Sequence, residues 1–316
     1  MGIQIGAKAQ VSIGFESTPG TAVSTTVATR ISSTGIQRKA THEALKTLSG
    51  DGTVAIASDS FLSTIDIDGP IKGPAGYQGS ALGSLLELAM GAKSTSGSGP
   101  YDHAFTLAQS QLTATIAVER GSLGGLGDEV VNGCKLNRLT LSCDTGKAME
   151  FEASFLGMGG ADRTGSSPTA LATLYPVIHS HAGQMSFNSA NYKLSKFKLT
   201  IDRKLQRVDE LGSAYSAEPM ASDDLEVSLD LELVARSDDL LAANLAGTQS
   251  DAAITFSDGT RSLAITLHNA KIVQYSDPIS SVGVVTQQVT LRGHGDGTKH
   301  GLGITLTNGN SSSRGS

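Results

Sequence analysis

Polar and apolar residues alternate along much of the chain. The clearest run is DLEVSLDLELVA at 224–235. Leu225, Val227, Leu229, Leu231 and Leu233 fall on one side, and Glu226, Ser228, Asp230 and Glu232 on the other. Successive side chains of a strand point to opposite faces, so this run reads as a half-buried strand with an acidic outer face. The same alternation predicts strands near 9–15, 53–58, 61–68, 103–107, 112–119, 134–143 and 147–156. In the second half it predicts strands near 183–187, 192–202, 253–257, 262–268, 270–275 and 283–292.

Helical spacing is confined to two short segments. Ser80 precedes ALGSLLELAM and Gly91, and Ser237 precedes DDLLAANLA and Gly247. Each has a serine able to cap free N–H groups, a leucine-rich face, and a glycine where a left-handed terminal residue fits. Asp238 and Asp239 in the first turn of the second suit the helix dipole.

These helices bring out an internal repeat. STIDIDG (63–69) precedes the first helix; AFTL (104–107), LTATIAV (112–118), KLNRLTL (135–141) and MEFEASFLG (149–157) follow it. VSLDLEL (227–233) precedes the second; AITF (253–256), SLAITL (262–267), AKIVQYS (270–276) and VTQQVTLRG (285–293) follow it. In this alignment Asp66 and Asp68 correspond to Asp230 and Glu232, and QVSI (10–13) to QMSF (184–187). The order predicts two copies of one β-sandwich-like unit, residues 1–160 with an N-terminal arm and residues 183–307. The turn-rich segment 161–182 between them reads as a linker, and NGNSSSRGS (308–316) as a disordered tail. Long polar stretches at 37–53 and 203–224 precede the strand before each helix. Loops of that length in a compact unit are usually functional or ordered by a partner.

Composition agrees with many short strands. Hydrophobic residues make up 39%, aromatics 4%, and there are 37 glycines in 316 residues. Glycine costs about 0.5–1 kcal/mol in helix interiors, so its abundance points to many tight turns between short strands. Lys and Arg number 24 against 30 Asp and Glu, a net charge of −6, which argues against a dedicated nucleic-acid binder. The opening MGIQIGAKAQVSIGFE has no basic region followed by a long apolar stretch, so no secretory leader is expected. No run approaches the ~20 apolar residues of a membrane helix, and synthesis and assembly in a cytoplasm are expected. Cys134 and Cys143 are expected to be free buried thiols, pointing to opposite faces of one extended segment.

Motifs for catalysis are missing. GSLGGLGD (121–128) and the GK at 146–147 lack the rest of a phosphate loop, and there is no nucleophile elbow or zinc-protease signature. His179 and His181 form an H-x-H pair, with His294 and His300 elsewhere, but nothing is spaced to complete a metal shell. The expectation is no catalytic residue, no metal and no cofactor.

Several segments, in order, resemble the major tail tube proteins of long-tailed bacteriophages. GFESTPGTAV (14–23) is similar to the family's N-terminal stretch. GSALGSLLELAMG (79–91) followed by YDHAFTL (101–107) is similar to its helix and strand, and KLNRLTLSCDTGKAMEFEASFLGMG (135–159) to its closing hairpin. The resemblance implies an all-β fold with short helices: two tandem tail-tube-type β-sandwich domains, each with one flanking helix and a long hairpin. It implies a virion structural protein whose rings stack into a conduit for the genome, with tail terminator, tape-measure and distal tail proteins as partners. Two domains per chain favour a ring of three chains with pseudo-sixfold symmetry over a six-chain ring. DNA would pass without specific binding. Under this reading Asp66, Asp68, Glu226, Asp230 and Glu232 are candidates to line the lumen and repel phosphate. Leu45, Leu48, Leu205, Leu211 and Tyr215, in the long polar stretches, are candidates for ring-to-ring contacts. The alternative reading is a secreted or surface β-sandwich adhesin.

Overall fold

The structure, a computed structural model, describes residues 9–45, 59–119, 129–158, 170–171, 175–235, 237–278, 285–295 and 301–314. The first half runs β1 (Gln10–Phe15), β2 (Val27–Thr29), β3 (Ser33–Thr34), β4 (Gln37–Leu45), β5 (Asp59–Pro74), α1 (Leu82–Met90), β6 (Gly91–Ser96), β7 (Tyr101–Leu107), β8 (Ala114–Glu119), β9 (Glu129–Asp144) and β10 (Glu150–Gly157). The second runs β11 (Gly183–Phe187), β12 (Ala190–Tyr192), β13 (Leu194–Asp202), β14 (Leu205–Gln206), β15 (Met220–Ala221), β16 (Glu226–Val234), α2 (Asp239–Ala246), β17 (Gln249–Ser257), β18 (Ser262–Ser276), β19 (Thr286–Arg292) and β20 (Leu302–Asn308). The all-β class with short helices is what the alternation predicts. The expected strand at 53–58, the glycine-rich loop 121–128 and most of 161–182 lie outside the described residues.

The two halves repeat one pairing scheme. In the first, β2 pairs β1, β1 pairs β8, β8 pairs β9, β9 pairs β10, β10 pairs β5, and β5 pairs β4. In the second, β12 pairs β11, β11 pairs β17, β17 pairs β18, β18 pairs β19, β19 pairs β16, and β16 pairs β13. The pairing shifts the sequence alignment in two places. β8, not the AFTL strand, is the counterpart of β17, and the β6–β7 hairpin is extra in the first half. Ser154 faces Pro70 while Thr290 faces Asp230, so Asp66 matches Glu226 and Asp68 matches Ser228, a slip of four residues.

Each half pivots on a long bent strand, β9 or β18. Both bulge at the middle, where a residue takes a left-handed backbone: Gly133 at φ 61° and Asn269 at φ 48°. Segments 262–268 and 270–275, expected as two strands, are thus one. A second bulge follows in each, at Asn137 and Val273. The Asn137 bulge shifts the alternation by one residue, so Leu136 and Leu139 are both buried. For that reason Cys134 and Cys143 are both buried rather than split between a buried and an exposed face.

Two seams join the halves. β13 pairs β9, which makes one antiparallel layer in the order β4-β5-β10-β9-β13-β16-β19-β18. β20, which pairs β18 in its own half, also pairs β7 of the first. The core is continuous across both halves, with Ile67, Phe151, Phe155 and Leu139 packed in one cluster with Ile201, Leu229, Val289 and Leu291. Fully burying each such side chain is worth about 1.5–3 kcal/mol.

All nine residues of α1 are buried. Arg203 from the second half donates to Ala89 O, Met90 O and Ala108 O at 2.7, 2.8 and 2.9 Å, which satisfies carbonyls at the helix end. Residues 308–314, expected to be a disordered tail, instead run over α1 as a strap. Arg314 reaches both carboxylate oxygens of buried Glu87, with its Nε at 3.0 Å, and its guanidinium stacks 3.7 Å from the Phe15 ring centroid. A Cβ on Gly83 would sit 2.4 Å from Ser313 O, so glycine is what lets the strap lie on the helix. The segment is ordered by polar and ionic contacts, which its lack of apolar residues does not betray. Gly91 and Gly247 end the helices at φ 90° and 63° as expected. The serines do not occupy the N-cap positions, which fall to Ala81 and Asp238. Ser80 Oγ does accept from the Leu82 N–H at 3.3 Å, whereas Ser237 donates to Asp239.

Candidate assembly surfaces

The eight-strand layer has one face on the core and one polar face. The polar face crosses the β9–β13 seam without a break, because Thr140 lies opposite Thr200 and Arg138 opposite Asp202. All five acidic candidates stand on this face: Asp66 and Asp68 from β5, and Glu226, Asp230 and Glu232 from β16.

Each of these carboxylates has a partner. Arg207 bridges Asp66 at 2.8 Å and Asp68 at 2.7 Å, and Lys39 also meets Asp68. Glu226 takes Lys204 at 3.2 Å and Arg292 at 2.5 Å, and Glu232 takes Lys196 at 2.8 Å. Thr290 donates to Asp230 at 2.8 Å. Between the two groups, Arg138 holds Asp202 through Nη2 at 2.6 Å and Nε at 3.0 Å. Burial works to raise the Asp68 carboxyl, but the Lys39 and Arg207 cations outweigh it and hold it below the usual range. Asp202 is held low in the same way by the Lys204 backbone N–H and by Arg138. The face is therefore a lattice of matched charges rather than an acidic stripe.

The long stretch 203–224 folds back over the first half. β14 pairs β15, Ile65 N–H donates to Ala214 O at 2.7 Å, and Lys135 reaches Glu218 at 2.6 Å. This loop supplies Arg207, which the sequence alone did not single out. Its crown is apolar and open: Leu211 is fully exposed and Tyr215 is 47% exposed. Phe61 at 55% and Leu62 at 39%, on the nearby end of β5, extend the exposed apolar surface. Leu205 is half-buried under the loop. Leu48 and the side chain of Leu45 lie outside the described residues.

A family model described as phage tail tube protein matches residues 6–293. The chain belongs to the phage tail tube protein family. No curated protein matches it by sequence. As a tail tube protein it is a structural component of the virion tail, and it assembles with itself and with other tail proteins into the tube.

For a tail tube protein the relevant sites are surfaces. His179 and His181 place their rings 6.1 Å apart, and no group of three or more metal-ligating side chains occurs among the described residues. His300 lies outside the described residues. Burial pushes the Cys143 thiol up to about 11 and the Cys134 thiol higher still. No described helix is long and apolar enough to span a membrane.

Proposed function

We propose that three chains close into a pseudo-sixfold ring, and that stacked rings form the conduit through which the genome leaves. The observation that carries this is the duplicated pairing scheme, with both copies sharing one continuous eight-strand layer. Each half is then one quasi-equivalent unit, and three two-unit chains fill six positions. Within this reading residues 1–160 and 183–307 are the two tube domains.

The layer's core face is covered by the outer strands, so closing it into a barrel turns the polar face toward the lumen. Asp66, Asp68, Glu226, Asp230 and Glu232 then line the channel together with the cations that hold them. Those cations are engaged by carboxylates and have little to offer a phosphate, so DNA slides past without being trapped. The mechanism is assembly and passage, with no bond made or broken. Leu211, Tyr215, Phe61 and Leu62 supply the apolar surface for ring-to-ring contact, with tail terminator, tape-measure and distal tail proteins at the tube ends.

Native mass spectrometry of the smallest closed assembly tests the stoichiometry. Three copies of the 32.4 kDa chain are expected; six copies per closed ring would refute it.

A further inference from the structure

The two halves of the chain meet through β13 and β9, and the repeat says which strands occupy the same places at the ends of the layer. β4 is the counterpart of β13, and the last residues of β18 are the counterpart of the second part of β9. Both are edges: among the described residues β4 pairs with no strand but β5, with its Arg38 N–H held by Glu129 Oε1 at 2.9 Å, and residues 272–276 pair only with β19. They lie at opposite ends of one eight-strand layer and do not pair with each other among the described residues.

The bulges fix the register. Gly133 matches Asn269 and Asn137 matches Val273, so Arg138, Leu139 and Thr140 match Gln274, Tyr275 and Ser276. On the other side, Lys39 faces Asp66 as Asp202 faces Glu226, so Gln37, Arg38 and Lys39 match Thr200, Ile201 and Asp202. The internal seam sets Asp202 opposite Arg138, Ile201 opposite Leu139, and Thr200 opposite Thr140. Carried to the edges, it sets Lys39 opposite Gln274, Arg38 opposite Tyr275, and Gln37 opposite Ser276.

We propose that β4 of one chain pairs antiparallel with residues 272–276 of the next chain, in that register, as a copy of the internal seam. This rests on the ring reading above and names the contact that closes the ring. The pair at its centre is Arg38 and Tyr275, each with polar side-chain atoms left unpartnered inside the chain. Nε and Nη2 of Arg38 have no hydrogen-bond partner in the single chain. The Tyr275 hydroxyl, near Gln287 but outside hydrogen-bond geometry, has none either. These atoms are buried in the single chain, and the seam sets the two residues that carry them opposite each other. It also accounts for a difference between the halves. The internal seam is never exposed and uses the buried pair Ile201 and Leu139. The edges must stay soluble before assembly, and β4 carries the cations Arg38 and Lys39 instead, charges that resist indiscriminate strand pairing. Val273, 47% exposed in the single chain, would be covered.

The test is a disulfide across the seam. The double variant Lys39→Cys/Gln274→Cys is assembled under reducing conditions and then oxidised, and the products are separated without reductant. Directly opposed residues have Cβ atoms about 4.5–5.5 Å apart, within reach of a disulfide after small adjustment, while residues slipped by two sit about 7–8 Å apart. Lys39→Cys/Gln274→Cys is expected to yield a covalent three-chain species, and Lys39→Cys/Ser276→Cys is not. Native Cys134 and Cys143 are buried and stay silent. Closed rings in which the first pair does not link, or the slipped pair links instead, overturn the seam while leaving the tube reading intact. A covalent six-chain ring supports the seam and refutes three chains. Should the double variant not assemble, hydrogen exchange on the unmodified chain decides. Amides of 37–41 and 272–276 should slow about tenfold or more on assembly. Unchanged exchange overturns the seam.

Discussion

Gly133 and Asn269 occupy the same position in the two repeats of one strand-pairing scheme. Each sits at the bulge of a long strand, with a left-handed backbone at φ 61° and 48°, where the strand turns from the outer sheet into the layer that carries the polar face. The first copy tolerates no side chain there, since a Cβ on Gly133 would lie 2.5 Å from the Met158 side chain. The second uses asparagine, which accepts this conformation more readily than most residues.

Gly133→Ala should therefore destabilise the chain by about 1–3 kcal/mol, through backbone strain and the clash with Met158. Asn269→Gly should change stability by only about 0.5 kcal/mol. Urea unfolding of the two variants checks the asymmetry.

The strap over α1 gives a pH dependence. Burial works to raise the Glu87 carboxyl, but Arg314 and Lys93 outweigh it and hold it below its ordinary value of 4.5. A carboxyl depressed in the folded state stabilises it above the unfolded pKa, and that contribution is lost as pH falls through the folded one. Stability should drop on acidification below about pH 4.5, and Glu87→Gln should be less stable at pH 7 with a flatter slope below it. Arg314→Ala should cost about 2–3 kcal/mol at pH 7, less than a fully orphaned buried charge because Lys93 remains 3.2 Å away. Thermal melts across pH give both readings.

Much of this architecture is legible in the sequence, and what is missing has identifiable causes. Alternation locates β16 because Leu229, Leu231 and Leu233 face a core while Asp230 and Glu232 face out. It cannot reveal that Asn137 is a bulge, and so it sends Cys134 and Cys143 to opposite sides. It aligns Asp66 with Asp230 on local likeness, whereas pairing through Ser154 and Thr290 aligns Asp66 with Glu226. The strap escapes notice because Ser313 and Arg314 are held by Glu87, a partner more than two hundred residues away. The five acids on the polar face are found by pattern. Their cations come from other strands and from the 203–224 loop, and no spacing rule announces Arg207.

The exposed crown of that loop separates folding from stacking. Leu211→Ser with Tyr215→Ser removes apolar surface exposed in the single chain, all of Leu211 and about half of Tyr215, so stability should fall by no more than about 1 kcal/mol. Closed rings should form and long tubes should not. Negative-stain microscopy and melting curves of one sample check both; normal tubes would remove this surface from the ring-to-ring contact.

Charge matching on the polar face predicts how the channel treats DNA. Glu226→Gln/Glu232→Gln frees Arg292 and Lys196 and leaves Lys204 only Asp202, at 3.7 Å, while keeping the sheet polar. Tubes of this variant should retain DNA at low salt and release it as salt rises, whereas unmodified tubes should not retain it. Co-sedimentation across a salt series reads this out.

The central claim is that one layer, built twice within a chain, becomes the wall of a channel when three chains close. A reconstruction of assembled tubes by electron cryomicroscopy tests it most directly. The account predicts three chains per ring, with Lys39 beside Gln274 of the neighbouring chain and with Asp66, Glu226 and Glu232 at the lumen radius. A ring of six chains, or a tube with these carboxylates on its outer wall, would contradict it.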